Sequence, residues 1–180
     1  ATGQGRNLIQ FALWTGMRTS ELVALDWSDV DWERGCVTVS RAITQSSKEA
    51  ETTKTRAGRR EIKLLAHAVE ALLAQKEHTF ANATEVFQNP NTVKRWDGDQ
   101  PIRKTLWTKV LKKAGVRYRR PYQTRHTYAS MMLSAREHPM WIARQMGHAD
   151  WTMIARIYGR WMPDADPSAG GRAEAMFGQR

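Results

Sequence analysis

The 180-residue sequence predicts a mainly α (α+β) chain with a small antiparallel sheet. Three observations carry this expectation. Apolar residues recur at helical spacing along much of the chain, and one alternating β-branched stretch has a matching partner beyond a polar loop. Gly, Pro or Asn-Pro-Asn punctuate the joins. At this length one domain is the default, and such a chain can bury roughly 70% of its unfolded surface.

Asn7 to Trp14 reads as the end of a helix, with Leu8, Phe11 and Ala12 on one face, broken at Thr15-Gly16. Thr19-Ser20-Glu21-Leu22 opens a second, because a hydroxyl can cap free amides ahead of Leu22, Val23 and Leu25. Asp31 to Gly35 is a turn. Cys36 to Ile43 alternates through Val37 and Val39 as a strand, with Glu61 to Leu64 as its partner. Residues 45–60, polar and rich in Thr and Lys, form either a long hairpin loop or an added short strand. Ala66 to Glu77 carries Ala68, Val69, Leu72 and Leu73 at helical spacing, and Glu85 to Phe87 is a short strand before the Asn-Pro-Asn turn. Pro101 opens a helix to about Ala114, stopped by Gly115, with Leu106, Trp107, Val110 and Leu111 inward. Helices follow at about Thr124 to Ser134, Met140 to Met146 and Trp151 to Tyr158, then a tail at residues 163–180 rich in Ala, Gly, Pro and Asp.

Composition narrows the classes. No apolar run approaches the roughly 20 residues that span a bilayer. Cys36 is the only cysteine, which excludes an intrachain disulfide and a Cys-rich zinc site and fits a reducing compartment. The chain starts Ala-Thr-Gly-Gln, with neither Met nor a signal pattern, so a piece of a longer protein is expected. The 28 Lys and Arg against 18 Asp and Glu give a net charge of +10, unevenly spread. Residues 100–136 hold ten basic residues and no acid, and outside that window the two signs balance. A concentrated basic field attracts polyanions, and counterion release from phosphates supplies most non-specific nucleic-acid affinity. A solvated face is the plainer reading of the same charge.

Acid clusters are absent beside that window, which disfavours a two-metal nuclease, and the five histidines show no paired ligand spacing, so no metal is expected. What remains is Arg, Lys, His and Tyr, a set suited to stabilising charge on phosphate.

Four motifs then occur in a telling order. TGMRTSEL at 15–22 resembles the first arginine box of the tyrosine recombinases, the phage integrase family. QTRHTYAS at 123–130 resembles the second box, QMGH at 145–148 the family's Leu-Gly-His box, and IYGRW at 157–161 the segment bearing the nucleophilic tyrosine. The resemblance covers about residues 5–162 and implies a helical catalytic domain with a small antiparallel sheet, forming one jaw of a clamp on DNA.

Carried over by position, the resemblance makes Arg18 and Arg125 the phosphate-binding arginines, His148 a third transition-state contact and Tyr158 the nucleophile. KTRAGRREIKL at 54–64 resembles the segment of the catalytic lysine, with Lys54 leading and Lys48 and Lys63 as competitors. Glu21 is expected to hold Arg18, and Arg56, Arg119 and Arg120 are expected on DNA. Two departures stand out. Tyr122 takes the second-box place where the family commonly has His, keeping a hydrogen bond to phosphate but bringing no charge. Ten positions separate His148 from Tyr158, where nine is usual. His126 is expected to cap or pack on another face from Arg125, Asp26 and Asp150 to be helix-terminal charges, and Trp14, Trp27, Trp107, Trp141, Trp151 and Trp161 to be core.

The activity so implied is site-specific recombination of double-stranded DNA at attachment sites, without cofactor or metal, by a tetramer in a bacterial host's cytoplasm. Residues 1–162 would be the catalytic domain, 163–180 a tail docking on a neighbouring subunit, and an N-terminal core-binding domain would lie outside this sequence. A type IB topoisomerase and a catalytically silent DNA-binding module are the alternatives. The joint presence of Arg18, Lys54, Arg125, His148 and Tyr158 argues against the second.

Overall fold

A computed structural model describes residues 3–44, 47–52, 59–161 and 171–178. Helix α1 (Gly3–Thr15) buries Leu8, Phe11 and Ala12, and Phe11 meets Phe87 with ring centroids 5.5 Å apart. Gly16 ends it with φ +62°, a left-handed backbone that glycine adopts without steric cost. A Cβ there would lie 2.6 Å from the Tyr128 ring, so closeness as well as conformation demands glycine. The chain restarts as α2 (Thr19–Ala24), buried at Leu22 and Val23.

Strands β1 (Val30–Asp31), β2 (Cys36–Val39) and β5 (Arg60–Lys63) form an antiparallel sheet in the order β1-β2-β5, with Val37 opposite both Val30 and Ile62. The expected strand from Cys36 to Ile43 breaks at Ser40. Its second half, β3 (Arg41–Thr44), pairs instead with β4 (Ser47–Thr52), so the polar stretch does contain an added strand. At the start of β3 the Arg41 guanidinium pairs with Asp26 and Asp29 beside the short turn Trp27–Asp29.

Helix α3 (Ala66–Thr79) lies along α1 through the buried Asn7–Gln75 hydrogen bond at 3.1 Å. Glu85 to Phe87 is not a strand. Glu85 makes one bridge to Asp26, Val86 donates to the Leu25 carbonyl, and a hairpin follows from β6 (Gln88–Asn89) to β7 (Lys94–Arg95) across the Asn-Pro-Asn turn. The next helical stretch runs α4 (Asp99–Pro101), a π-helical segment (Ile102–Trp107) and α5 (Thr108–Lys113). It buries Ile102 and Trp107, leaving Leu106, Val110 and Leu111 only half-buried, because the π turn rotates the later residues off the expected face.

Helices α6 (Gln123–Ser134), α7 (Pro139–Met146) and α8 (Thr152–Tyr158) form a second apolar cluster from Tyr128, Leu133, Ile142, Met146 and Ile154. Trp14 packs against this cluster and also against the larger one made by α1, α2, α3 and the sheet. The two cores therefore meet along a seam. Trp151, expected in the core, is 46% exposed at the start of α8. The tail carries a short helix, α9 (Gly171–Phe177). Among the described residues, no helix is long and apolar enough to cross a membrane.

Candidate active site

The seam is polar, and its centre is a carboxylate. Arg18 is the N-cap of α2, and Glu21 three residues on accepts its backbone N–H at 2.8 Å and its Nη1 at 2.8 Å. The same carboxylate accepts both terminal nitrogens of Arg60 on β5, at 3.0 and 2.9 Å. Burial pushes the Glu21 carboxyl up, but the hydrogen bond and charge of Arg60, joined by Arg18, outweigh it and hold the pKa below the ordinary value. Arg60 Nε in turn donates to the Gln145 carbonyl at 2.7 Å, and the Gln145 side chain accepts the Lys63 N–H. The first arginine box, the sheet and α7 are thus joined around one carboxylate.

Arg125 enters the seam from α6. It is 1% exposed, donates through Nη1 to the Gly16 carbonyl and through Nη2 to the Met146 carbonyl at 2.8 Å, and has no hydrogen-bond partner at Nε. Burial, then the nearby Arg18 charge, lower its pKa. An orphaned donor on a buried cation costs free energy unless a ligand completes it. Gly147 caps α7 in the left-handed region at φ +70°, which swings His148 back so that its Nε2 lies 3.4 Å from Arg125 Nη2. Burial, then Arg125, Arg18 and Arg60, pull the His148 pKa down to about 4, so the ring is neutral at neutral pH. Arg18 Nη2 closes the ring of contacts on the Gly147 carbonyl at 3.3 Å.

Tyr158 ends α8. It is 3% exposed, its hydroxyl lies 2.6 Å from His126 Nδ1, and burial raises its pKa although the Arg125 charge opposes this. His126 also meets the Tyr122 ring edge-on at 5.6 Å, and Tyr122 lies under the Arg125 guanidinium at 5.6 Å. His126 therefore does not merely cap or pack. The expectation placed it on another face from Arg125, which is correct, but that face of α6 is the one α8 covers.

Two cavities open on either side of residues 119–126. One of about 480 Å³ is lined by Arg18, Asp99, Arg103, Arg120 and Tyr122, and the other, about 350 Å³, by Arg119, Gln123, His126, Tyr158 and Arg160. Of the ten basic residues in the charged window, eight are exposed, Arg103 is half-buried and Arg125 is buried. Lys54 and Arg56 lie outside the described residues, and the side chain of Lys48 is likewise outside them; Lys63 is exposed at the end of β5. Asp150 accepts the Thr152 N–H at 2.8 Å at the start of α8, and Asp26 caps the turn Trp27–Asp29, both as expected. No group of three or more His, Cys, Asp or Glu among the described residues could hold a metal ion.

Two residues escaped the motif reading. Arg60 sits in an Arg-Arg pair whose sequence does not say which member turns inward. His126 follows an arginine that takes all the attention, and its only local sign was the Arg-His step itself.

Known proteins bear on this arrangement. The chain is 36% identical to prophage integrase IntR of Escherichia coli K12, over 90% of this chain and 44% of that protein. It is 24% identical to the integrase of Salmonella phage P22, over 96% of this chain and 43% of that one. It spans less than half the length of these relatives. The fold matches the Tn1549 transposon integrase, solved with a circular intermediate DNA, at TM-score 0.74 and 21% identity over 94% of this chain and 57% of that one. It also matches the catalytic domain of bacteriophage HP1 integrase at TM-score 0.63 and 16% identity, over 97% and 84%. The model of the phage integrase family matches residues 3–162, and the chain belongs to that family.

Proposed function

We propose that this chain is the catalytic portion of a phage- or prophage-integrase-like site-specific recombinase, cleaving and rejoining double-stranded DNA through a 3′-phosphotyrosine. One observation carries the reading. Arg18 converges on one seam with Arg125 and His148, which lie more than a hundred positions further along the chain, and the Arg125 charge acts on the Tyr158 phenol. Binding alone asks for no such convergence, which disfavours a silent module. The relatives named as integrases favour recombination over a topoisomerase.

In the proposed reaction the Tyr158 oxygen attacks the scissile phosphorus, and a 5′-hydroxyl leaves; resealing by a 5′-hydroxyl from a partner duplex exchanges strands. Charge develops on the non-bridging oxygens. Arg18, at the wall of a cavity with three guanidinium groups, and Arg125, with Nε unsatisfied, would receive it. Losing one such preorganised donor costs roughly 100- to 1,000-fold in rate. His148 would add a contact beside Arg125, and Tyr122 a hydroxyl on the Arg18 side. Lys54 is proposed as general acid for the leaving oxygen, with Arg56, Arg119 and Arg120 along the DNA backbone. The set needs no cofactor. The domain limits are also proposals: catalysis within residues 1–162, docking of 163–180 on a neighbour in a DNA-bound homotetramer, a core-binding domain elsewhere in the whole protein, and action on DNA in the host cytoplasm.

The test is trapping on a nicked suicide duplex built from the excision junction sequenced out of the host. Wild type should form a denaturant-stable protein–DNA adduct, and Tyr158→Phe should bind the duplex without forming one. An adduct from the Phe variant would overturn the assignment.

A further inference from the structure

We propose that His126 is a catalytic residue, the base that takes the proton from the Tyr158 hydroxyl as it attacks phosphorus. The inference rests on Tyr158 being the nucleophile, as proposed above, and adds a group to which the motif reading gave only a packing role.

Geometry comes first. His126 Nδ1 stands 2.6 Å from the Tyr158 oxygen, inside the range in which a base must lie from the proton it abstracts. The two rings, 5.5 Å apart and tilted by 49°, are held by different helices, so the contact is tertiary and not a by-product of helical spacing. Both line the same cavity of about 350 Å³, together with Arg119 and Arg160.

Competition comes second. The titratable and charged groups facing the imidazole are Arg125 and Tyr122 from its own helix, Tyr158 from α8, and Arg119 and Arg160 across the cavity. None of the described groups lining that cavity is a carboxylate, and His148 has its Nε2 turned to Arg125 on the seam. His126 is a base in direct contact with the phenol. Burial, then the Arg125 charge, lower its pKa from the ordinary value, which favours the neutral ring, and the tautomer with its proton on Nε2 leaves Nδ1 to accept from the phenol.

The step balances without another reactant. The Tyr158 O–H bond breaks, its proton passes to Nδ1 to give an imidazolium, and the oxygen pair forms the new O–P bond. The P–O5′ bond breaks with its pair on the 5′ oxygen, which takes a proton from the general acid proposed above. On resealing, the imidazolium returns its proton to the departing phenolate.

The experiment is single-turnover attachment to the same nicked duplex across pH, with wild type, His126→Asn, His126→Ala and Tyr158→Phe. Asn offers an acceptor near the Nδ1 position but cannot take a proton. The expected result is DNA binding retained and attachment by His126→Asn slowed at least about 100-fold. The wild-type rate should fall as pH drops through the acid side of neutrality, that limb should be missing from the Asn variant, and free imidazole should partly restore His126→Ala. Attachment by His126→Asn at the wild-type rate and with the wild-type profile would overturn the proposal. Should the variants fail to bind DNA, the wild-type profile decides, and a flat acid limb overturns it. An adduct from Tyr158→Phe would instead strike the nucleophile assignment, so the two failures are told apart.

Discussion

Replacing Glu21 by Gln should destabilise the domain severely, and the structure allows the cost to be worked out. The carboxylate is 2% exposed and accepts four hydrogen bonds, two from Arg18 and two from Arg60. Gln keeps one acceptor oxygen and turns an NH₂ toward donors that remain. Removing one partner of a buried ion pair costs about 3–5 kcal/mol. Arg18 keeps 35% of its side chain in solvent and can rehydrate, whereas Arg60 keeps 7%, so the Arg60 half dominates and the lower end applies, about 3 kcal/mol. For a domain of this size that corresponds to a fall in Tm of roughly 6–12 °C. Urea and thermal unfolding at pH 7 measure it, and a cycle with Arg60→Met should show a coupling of about 1–3 kcal/mol. The pH dependence has a fixed sign. The folded pKa of Glu21 lies below its unfolded value, so its contribution is present above the unfolded pKa and is lost as pH falls through the folded one. Glu21→Gln lacks that component, and the gap between variant and wild type should close in acid. A variant within about 0.5 kcal/mol of wild type at pH 7 would refute the reasoning, because surface changes cost no more than that.

Gly16→Ala combines a left-handed backbone with a Cβ 2.6 Å from the Tyr128 ring and should cost more in urea unfolding than Gly35→Ala, where φ is also +62° but a Cβ would meet nothing within 4 Å, so that only the roughly 1–2 kcal/mol of the left-handed backbone applies. His148, held near 4, should stay neutral in ring NMR down to about that pH; because its folded pKa lies below the unfolded one, stability should decline as pH falls from about 6.5 toward 4, and His148→Gln should show a shallower decline.

Much of the site was legible because recognisable segments carry it as contiguous strings. TGMRTSEL places a turn, a cap and its carboxylate within eight residues, and the Arg18–Glu21 pair follows from helix geometry alone. Arg60 was not legible, since its partner lies 39 positions away and only the sheet register, Val39 opposite Arg60, decides that it turns inward. His126 escaped for a related reason: neighbouring residues on α6 point to different faces, and nothing local says that both faces are covered, one by Gly16 and Met146 and the other by α8. The break at Ser40 goes with a tertiary pairing of Arg41 with Asp26 and Asp29, and the helix after Pro101 holds a π segment, neither of which apolar periodicity announces.

The seam between the two cores has a kinetic side. The larger cluster draws on residues from Leu8 to Ile102 and the smaller one chiefly on Tyr128 to Tyr158, so each can gather from its own stretch of chain. The contacts that join them span 109 positions from Gly16 to Arg125 and 129 from Arg18 to Gly147. Closing loops of that length carries an entropic cost that only the finished contacts repay, which delays such contacts relative to local ones. On refolding from urea, helical signal should return before the seam closes, and a chain with both cores formed would still lack the proposed phosphate site until its last long-range hydrogen bonds are in place.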